Sequence, residues 1–350
     1  MRTLLAAIWF SFVTVAMSQS PDIAVDRLFK DYSGPQTPGA AVMVIKEGKP
    51  VLAKGYGIAD REKKINCSTN TNFRLASVTK QFTATSILML SEQGKLSLDD
   101  KLPKFFPEFP PYGNGITVRH LLTHTSGLPD YEDYMPAGLK IPLSDRDVLH
   151  ILRQQKQLYF PPGSDFRYSN SGYALLALMV EVVSGETFPG YLRKHIFQPL
   201  GMNDSIAYVA GLSQVPNRAF GYADENGEWT FSDQSLTSAV LGDGGVYSSV
   251  IDLFKWDQAL NTGKLVSLRI LEEAFTAHSK ISDFKGSGYG YGWYVGEEQG
   301  YKVIWHYGST CGFRTHYARY PEQKLSVIVL TNRREPELSG IVRQIADLYR

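Results

Sequence analysis

The chain has 350 residues, of which 43% are hydrophobic, 12% aromatic and 20% charged, a globular balance that excludes a largely disordered protein. At roughly 150 residues per domain, the length allows two structural units or one large one, with ample material for a buried core. Lys plus Arg is 36 and Asp plus Glu is 35, a formal net charge of +1, so no basic excess exists to neutralise a phosphate backbone and nucleic acid is not an expected partner.

The sequence opens MRTLLAAIWFSFVTVAMSQS. Arg2 supplies a short positive start, and the apolar run Leu4 to Met17, about 14 residues, has the length of a signal h-region and is short for a membrane span. Ala16-Met17-Ser18 puts small residues where signal peptidase reads. The expectation is a signal peptide over residues 1–18, cleavage before Gln19, and an exported periplasmic or secreted product with no stable membrane insertion; a retained anchor is the competing reading.

A short helix is expected near Asp22 to Phe29. The apolar runs Ala40 to Ile45 and Val51 to Ile58, joined through Glu47-Gly48-Lys49, predict a β-hairpin. From Ser77 to about Ser235 the apolar spacing is mainly helical, broken by loops rich in Pro, Gly and Tyr at Pro103 to Gly115 and Pro129 to Pro142. The last hundred residues return to strands at Tyr289 to Val295, Lys302 to Tyr307, Thr315 to Tyr320 and Leu325 to Leu330, and Ser339 to Arg350 closes as an amphipathic helix. The expected fold is α/β of the α+β type: one antiparallel sheet from both termini (about 22–76 and 236–350), flanked by helices, with an inserted mainly helical lobe (about 77–235).

The strongest local signal is Phe73-Arg74-Leu75-Ala76-Ser77-Val78-Thr79-Lys80, followed by a helical run to Leu90. A helix starting near Ser77 puts Lys80 three residues on and on the same face. Ser77 then gains the positive end of the helix dipole and free backbone N–H groups. A serine hydroxyl needs a nearby base, and a buried amine serves if its environment holds it partly neutral. A second Ser-x-x-Lys, Ser282 to Lys285, runs into Gly286-Ser287-Gly288 and cannot easily continue as a helix.

Two further segments carry suitable chemistry. Tyr168 and Asn170, in Phe166-Arg167-Tyr168-Ser169-Asn170, precede the apolar helix Ser171 to Ser184 with its Gly185 stop, so a phenol able to relay a proton and an amide can share one cleft. Tyr112-Gly113-Asn114 matches the same short pattern. In Trp305-His306-Tyr307-Gly308-Ser309-Thr310, at a strand end, Gly308 would admit close substrate approach. The N–H of Ser309, opposite that of Ser77, would complete an oxyanion hole.

Ser-x-x-Lys, Tyr-x-Asn and His-x-Gly in this order resemble the class C β-lactamase and penicillin-recognising serine hydrolase family, which also holds D-alanyl-D-alanine carboxypeptidases, D-aminopeptidases and esterases. The resemblance runs from about Pro38 to Asn332 and includes Leu98-Asp99-Asp100, Ile116 to Leu128, Phe197 to Met202 and Gly242-Asp243-Gly244-Gly245. It implies Ser77 as acylated nucleophile, Lys80 as its base, Tyr168 as proton shuttle and Asn170 as the group orienting substrate and lysine. It further implies that His306 lines the opposite wall and that the N–H groups of Ser77 and Ser309 bind the oxyanion. β-Lactamases of this family usually start the third motif with lysine; His306 stands here, as in many relatives acting on esters or peptides. A titrating imidazole in that place would make activity on carboxylate-bearing substrates change near neutral pH.

The expected function is therefore hydrolysis of a small-molecule or peptide amide or ester, with no metal or cofactor. A true β-lactamase, a D-alanyl-D-alanine carboxypeptidase and a catalytically silent binder, with Tyr131, Tyr134, Tyr289, Tyr291 and Trp293 lining a groove, are the alternatives. No Gly-x-Ser-x-Gly or His-Glu-x-x-His occurs. His120 and His124, four apart, could share a helix face as zinc ligands, but the glutamate of a metalloprotease motif is missing between them. Export leaves a Cys67–Cys311 disulfide chemically open, and the two cysteines cannot form a scaffold or a four-thiolate zinc site.

Overall fold

The computed structural model describes residues 20–281 and 286–350; the expected leader and the Ser282 to Lys285 motif lie outside them. Helix α1 (Pro21–Leu28) leads to strands β1 (Ala40–Lys46) and β2 (Lys49–Tyr56). Glu47 and Gly48 between them take φ of 51° and 75°, the paired positive values whose twist matches a hairpin. The C-terminal part supplies β3 (Ser279–Lys280), β4 (Gly288–Tyr289), β5 (Tyr294–Glu298), β6 (Tyr301–Thr310), β7 (Phe313–Tyr320) and β8 (Leu325–Thr331). Among the described residues these form one antiparallel sheet in the order β3-β4-β5-β6-β7-β8-β1-β2. The two ends of the chain meet where Val44 pairs with Val327.

β1 reads as a continuous apolar run because both its faces are covered. Ala41, Met43 and Ile45 join the large core shared with the helical part. Ala40, Val42 and Val44 face a second core with Val25 and Phe29 at the N-terminus and Val342 and Ile345 of the closing helix Ser339–Tyr349. Period-two alternation assigns the side chains to the two layers.

The helical part is built on α2 (Lys80–Glu92), α3 (Val118–Leu122), α4 (Asp145–Arg153) and α5 (Asn170–Ser184). Lys80 through Leu90 are all buried, so α2 is the central rod rather than a surface helix. Ser169 caps α5 by accepting the Gly172 N–H, and Gly185 ends it at φ 72°, the expected chemistry at both ends.

Two details depart from the sequence reading, and the disulfide it left open is not formed. The segment up to Ser235 contains a hairpin, Tyr222–Glu225 with Glu228–Phe231, and helices Val250–Ala259 and Leu268–Ala274 fall within the part expected to be sheet. The run Tyr289 to Val295 is broken between β4 and β5: Gly292 (φ 80°) lies so close to α2 that a Cβ would come within 2.8 Å of the Lys80 carbonyl. Cys67 and Cys311 are free; Cys67 is buried against Gly39, and Cys311 sits in the β6–β7 turn. Among the described residues, no single helix is long and apolar enough to cross a membrane.

Candidate active site

Ser77 lies in a single 3₁₀ turn, Ala76–Thr79, just before α2, rather than in the α-helix itself. The turn is fixed from two sides. Leu75 N–H donates to the Val246 carbonyl (2.8 Å), and Thr315 Oγ1 on β7 donates to the Leu75 carbonyl (2.7 Å). Gly308 on β6 explains how the strand comes so near, since a Cβ there would fall 2.2 Å from the Leu75 oxygen and 3.0 Å from Ala76 Cβ. Its missing side chain thus admits the turn that carries Ser77, where the sequence suggested substrate. Ala76 itself sits at φ 48°, a left-handed conformation uncommon for a residue with a Cβ.

Lys80 is fully enclosed. Its Nζ donates to Ser77 Oγ (3.0 Å), Asn170 Oδ1 (2.8 Å) and the Asp243 main-chain carbonyl (2.9 Å). Burial lowers its pKa from the usual lysine range to about 8, opposed by the charges of Asp243, Asp130 and Glu132. The Asp243 carbonyl is itself anchored: the buried Asp145 carboxylate at the start of α4 accepts the N–H groups of Leu241 (2.9 Å) and Gly242 (3.0 Å). Asn170 is held in turn, its N–H on Asp130 Oδ2 and its amide nitrogen on Glu132 Oε1, each at 3.0 Å.

Tyr168 extends over the same lysine, whose Nζ lies 4.8 Å from the ring centre. Burial drives its phenol well above the ordinary range, with the nearby Ser77 hydroxyl pulling the other way. Its Oη is buried and outside hydrogen-bonding geometry to any group among the described residues. Ser309 and Thr310 from the end of β6 share a recess with Ser77, Asn170, Glu132 and Asp243. Ser77, Lys80, Tyr168, Asn170, Gly308 and Ser309 therefore converge.

His306 differs from expectation. It is buried behind the tyrosines, with Nδ1 donating to the Tyr307 carbonyl (2.8 Å) and Nε2 accepting from Tyr289 Oη (2.9 Å). Burial, then Lys80, push its pKa down to about 3. It is a neutral structural partner of Tyr289, not a cation titrating near neutrality. Of the aromatic groove considered for a binder, Tyr131, Tyr289, Tyr291 and Trp293 are buried, and Tyr134 alone is exposed.

Sequence reading assigned no role to Asp243, Glu132 and Asp130, and placed Tyr131 only in the groove of a silent binder. Tyr131 Oη donates to Asp243 Oδ2 (3.2 Å), and no local pattern connects residues so far apart in the chain. The helix face proposed for His120 and His124 does not exist: α3 ends at Leu122, and His124 follows it at φ 57°.

A family model described as Beta-lactamase matches residues 25–349. The chain is 32% identical over 335 residues to penicillin-binding protein 4* of Bacillus subtilis, covering 91% of this chain and 73% of that one. Among solved structures it is similar to the octameric penicillin-binding protein homologue of Pyrococcus abyssi (TM-score 0.80, 31% identity, 93% of this chain and 74% of that one). It is also similar to EstCE1, described as a hydrolase with promiscuous acyltransferase activity (TM-score 0.79, 26% identity, 94% and 97%). The chain spans 59–73% of the length of the curated relatives it matches. With a serine and a buried lysine in hydrogen-bond contact beside an antiparallel sheet, and a match along nearly its whole length, the chain belongs to the β-lactamase family of serine hydrolases.

Proposed function

We propose that the protein cleaves an amide or ester through an acyl-enzyme on Ser77, and that its substrate is a peptide or ester rather than a good β-lactam. The observation that carries this reading is the 3.0 Å contact between Ser77 Oγ and a Lys80 amine that burial holds near pKa 8. Neutral Lys80 takes the Ser77 proton as Oγ attacks the carbonyl carbon. The Ser77 and Ser309 N–H groups receive the oxyanion, a type of stabilisation worth roughly 10²–10³ in rate per donor.

Tyr168, whose phenol burial keeps protonated, gives its proton to the leaving nitrogen or oxygen and regains one from Lys80. Water then attacks the ester carbonyl by the same route, and Ser77 leaves with its proton restored. Asn170 holds Lys80 in register. The neutral His306 favours the substrate assignment, since it offers no fixed charge to a drug carboxylate. Residues 1–18 serve as an export leader in this reading, and N-terminal sequencing of the exported product should begin at Gln19.

The test is turnover of p-nitrophenyl butyrate, D-alanyl p-nitroanilide and a chromogenic cephalosporin by wild type and Ser77→Ala. Ester or anilide turnover that is lost with Ser77 is expected. Faster cephalosporin turnover would make the protein a β-lactamase, and no turnover with any of the three would favour the silent binder.

A further inference from the structure

Tyr168 must present its hydroxyl to Ser77 and Lys80, yet that hydroxyl has no hydrogen bond among the described residues. Its position is therefore set through its ring and its backbone. Both lead to His124. The His124 carbonyl accepts the Arg167 N–H (3.0 Å), and His124 Nδ1 accepts the Ser169 N–H (3.1 Å), so one residue grips the amides on either side of Tyr168. The imidazole also lies 4.3 Å from the Tyr168 ring centre and meets Tyr289 edge-on at 4.5 Å.

This arrangement is costly to build. His124 is held at φ 57°, which side chains rarely adopt. Because Nδ1 accepts a hydrogen bond, the ring proton of the neutral imidazole is on Nε2, and that atom is buried with no hydrogen-bond partner among the described residues. Burial, then the charge of Lys80, keep the ring uncharged. Strain and an orphaned donor in one buried residue are what a positioning role would explain.

We propose that His124 is the positioning residue for Tyr168, clamping the loop on both sides of the phenol so that its hydroxyl stands over Ser77 and Lys80. The inference rests on the reading of Tyr168 as the proton relay.

The test compares His124→Asn with His124→Gly on p-nitrophenyl butyrate. Both residues tolerate a positive φ, but only asparagine offers an acceptor to the Ser169 N–H. His124→Gly should lose about 10²-fold in kcat with KM nearly unchanged, the scale of a misplaced catalytic group. His124→Asn should recover most of that loss, and adding His124→Gly to Tyr168→Phe should cost nothing more. Equal turnover of the two His124 variants, or a fully additive double variant, would overturn the inference. If Tyr168→Phe alone leaves kcat unchanged, the relay reading itself fails.

Discussion

Lys80 Nζ stands 3.0 Å from Ser77 Oγ, and its two other donor directions end on Asn170 Oδ1 and the Asp243 carbonyl. An ammonium with three acceptors is satisfied, so the protonated form is the resting form whenever the pH permits it. Burial opposes that preference and brings the pKa to about 8. Below this value Lys80 is charged and cannot take a proton from Ser77; above it the amine is free to do so. The acylation rate should therefore rise with pH and level off above about pH 8, as read from kcat/KM for p-nitrophenyl butyrate between pH 5 and 9. A rate that falls over this range would contradict Lys80 as the base.

His306 should contribute no inflection to that profile. Its pKa is driven to about 3, so it is neutral throughout pH 5 to 8. Nitrogen NMR of labelled protein should show one neutral imidazole with its proton on Nδ1, the atom facing the Tyr307 carbonyl. Titration with a midpoint near 6.5 would show instead an accessible, chargeable ring.

Tyr168→Phe removes the relay hydroxyl and keeps the ring over Lys80. Turnover should drop by about 10²–10⁴, the range for a lost general acid–base group, while KM changes little. An unchanged kcat would remove the phenol from the mechanism.

Gly308→Ala tests the seat of the Ser77 turn. The new Cβ would collide with the Leu75 oxygen and with Thr315 Oγ1. Backbone shifts of this kind cost about 1–3 kcal/mol, and they would displace the Ser77 turn itself. Both the denaturation midpoint and the fluorophosphonate labelling rate should fall. A variant as stable and as reactive as wild type would mean the strand can yield.

The architecture was legible from the chain because strands at its two ends are short, β-branched and separated by turn residues, and because α2 has helical apolar spacing and α5 a long apolar run. Gly185 marked its helix end correctly. Ser77, Lys80, Tyr168 and Asn170 were legible as local patterns. The break at Gly292 was not, since it answers to the close packing of that turn on α2. The hairpin Tyr222–Phe231 does carry a local signal, Asn226-Gly227 with φ of 58° and 86°, the two-residue turn that the helical spacing on either side of it masks. The charge state of His306 was also hidden: the residue type suggests a titrating group, and only its enclosure by Tyr289 and the Tyr307 backbone makes it neutral. Asp243 and His124 act on partners far along the chain, which no period or short motif records.

The most direct measurement is the intact mass of the protein after exposure to a fluorophosphonate, for wild type, Ser77→Ala and Ser282→Ala. A single adduct on wild type and Ser282→Ala, absent from folded Ser77→Ala, is the expected result. An adduct that persists in Ser77→Ala, or vanishes only with Ser282→Ala, would contradict Ser77 as the nucleophile.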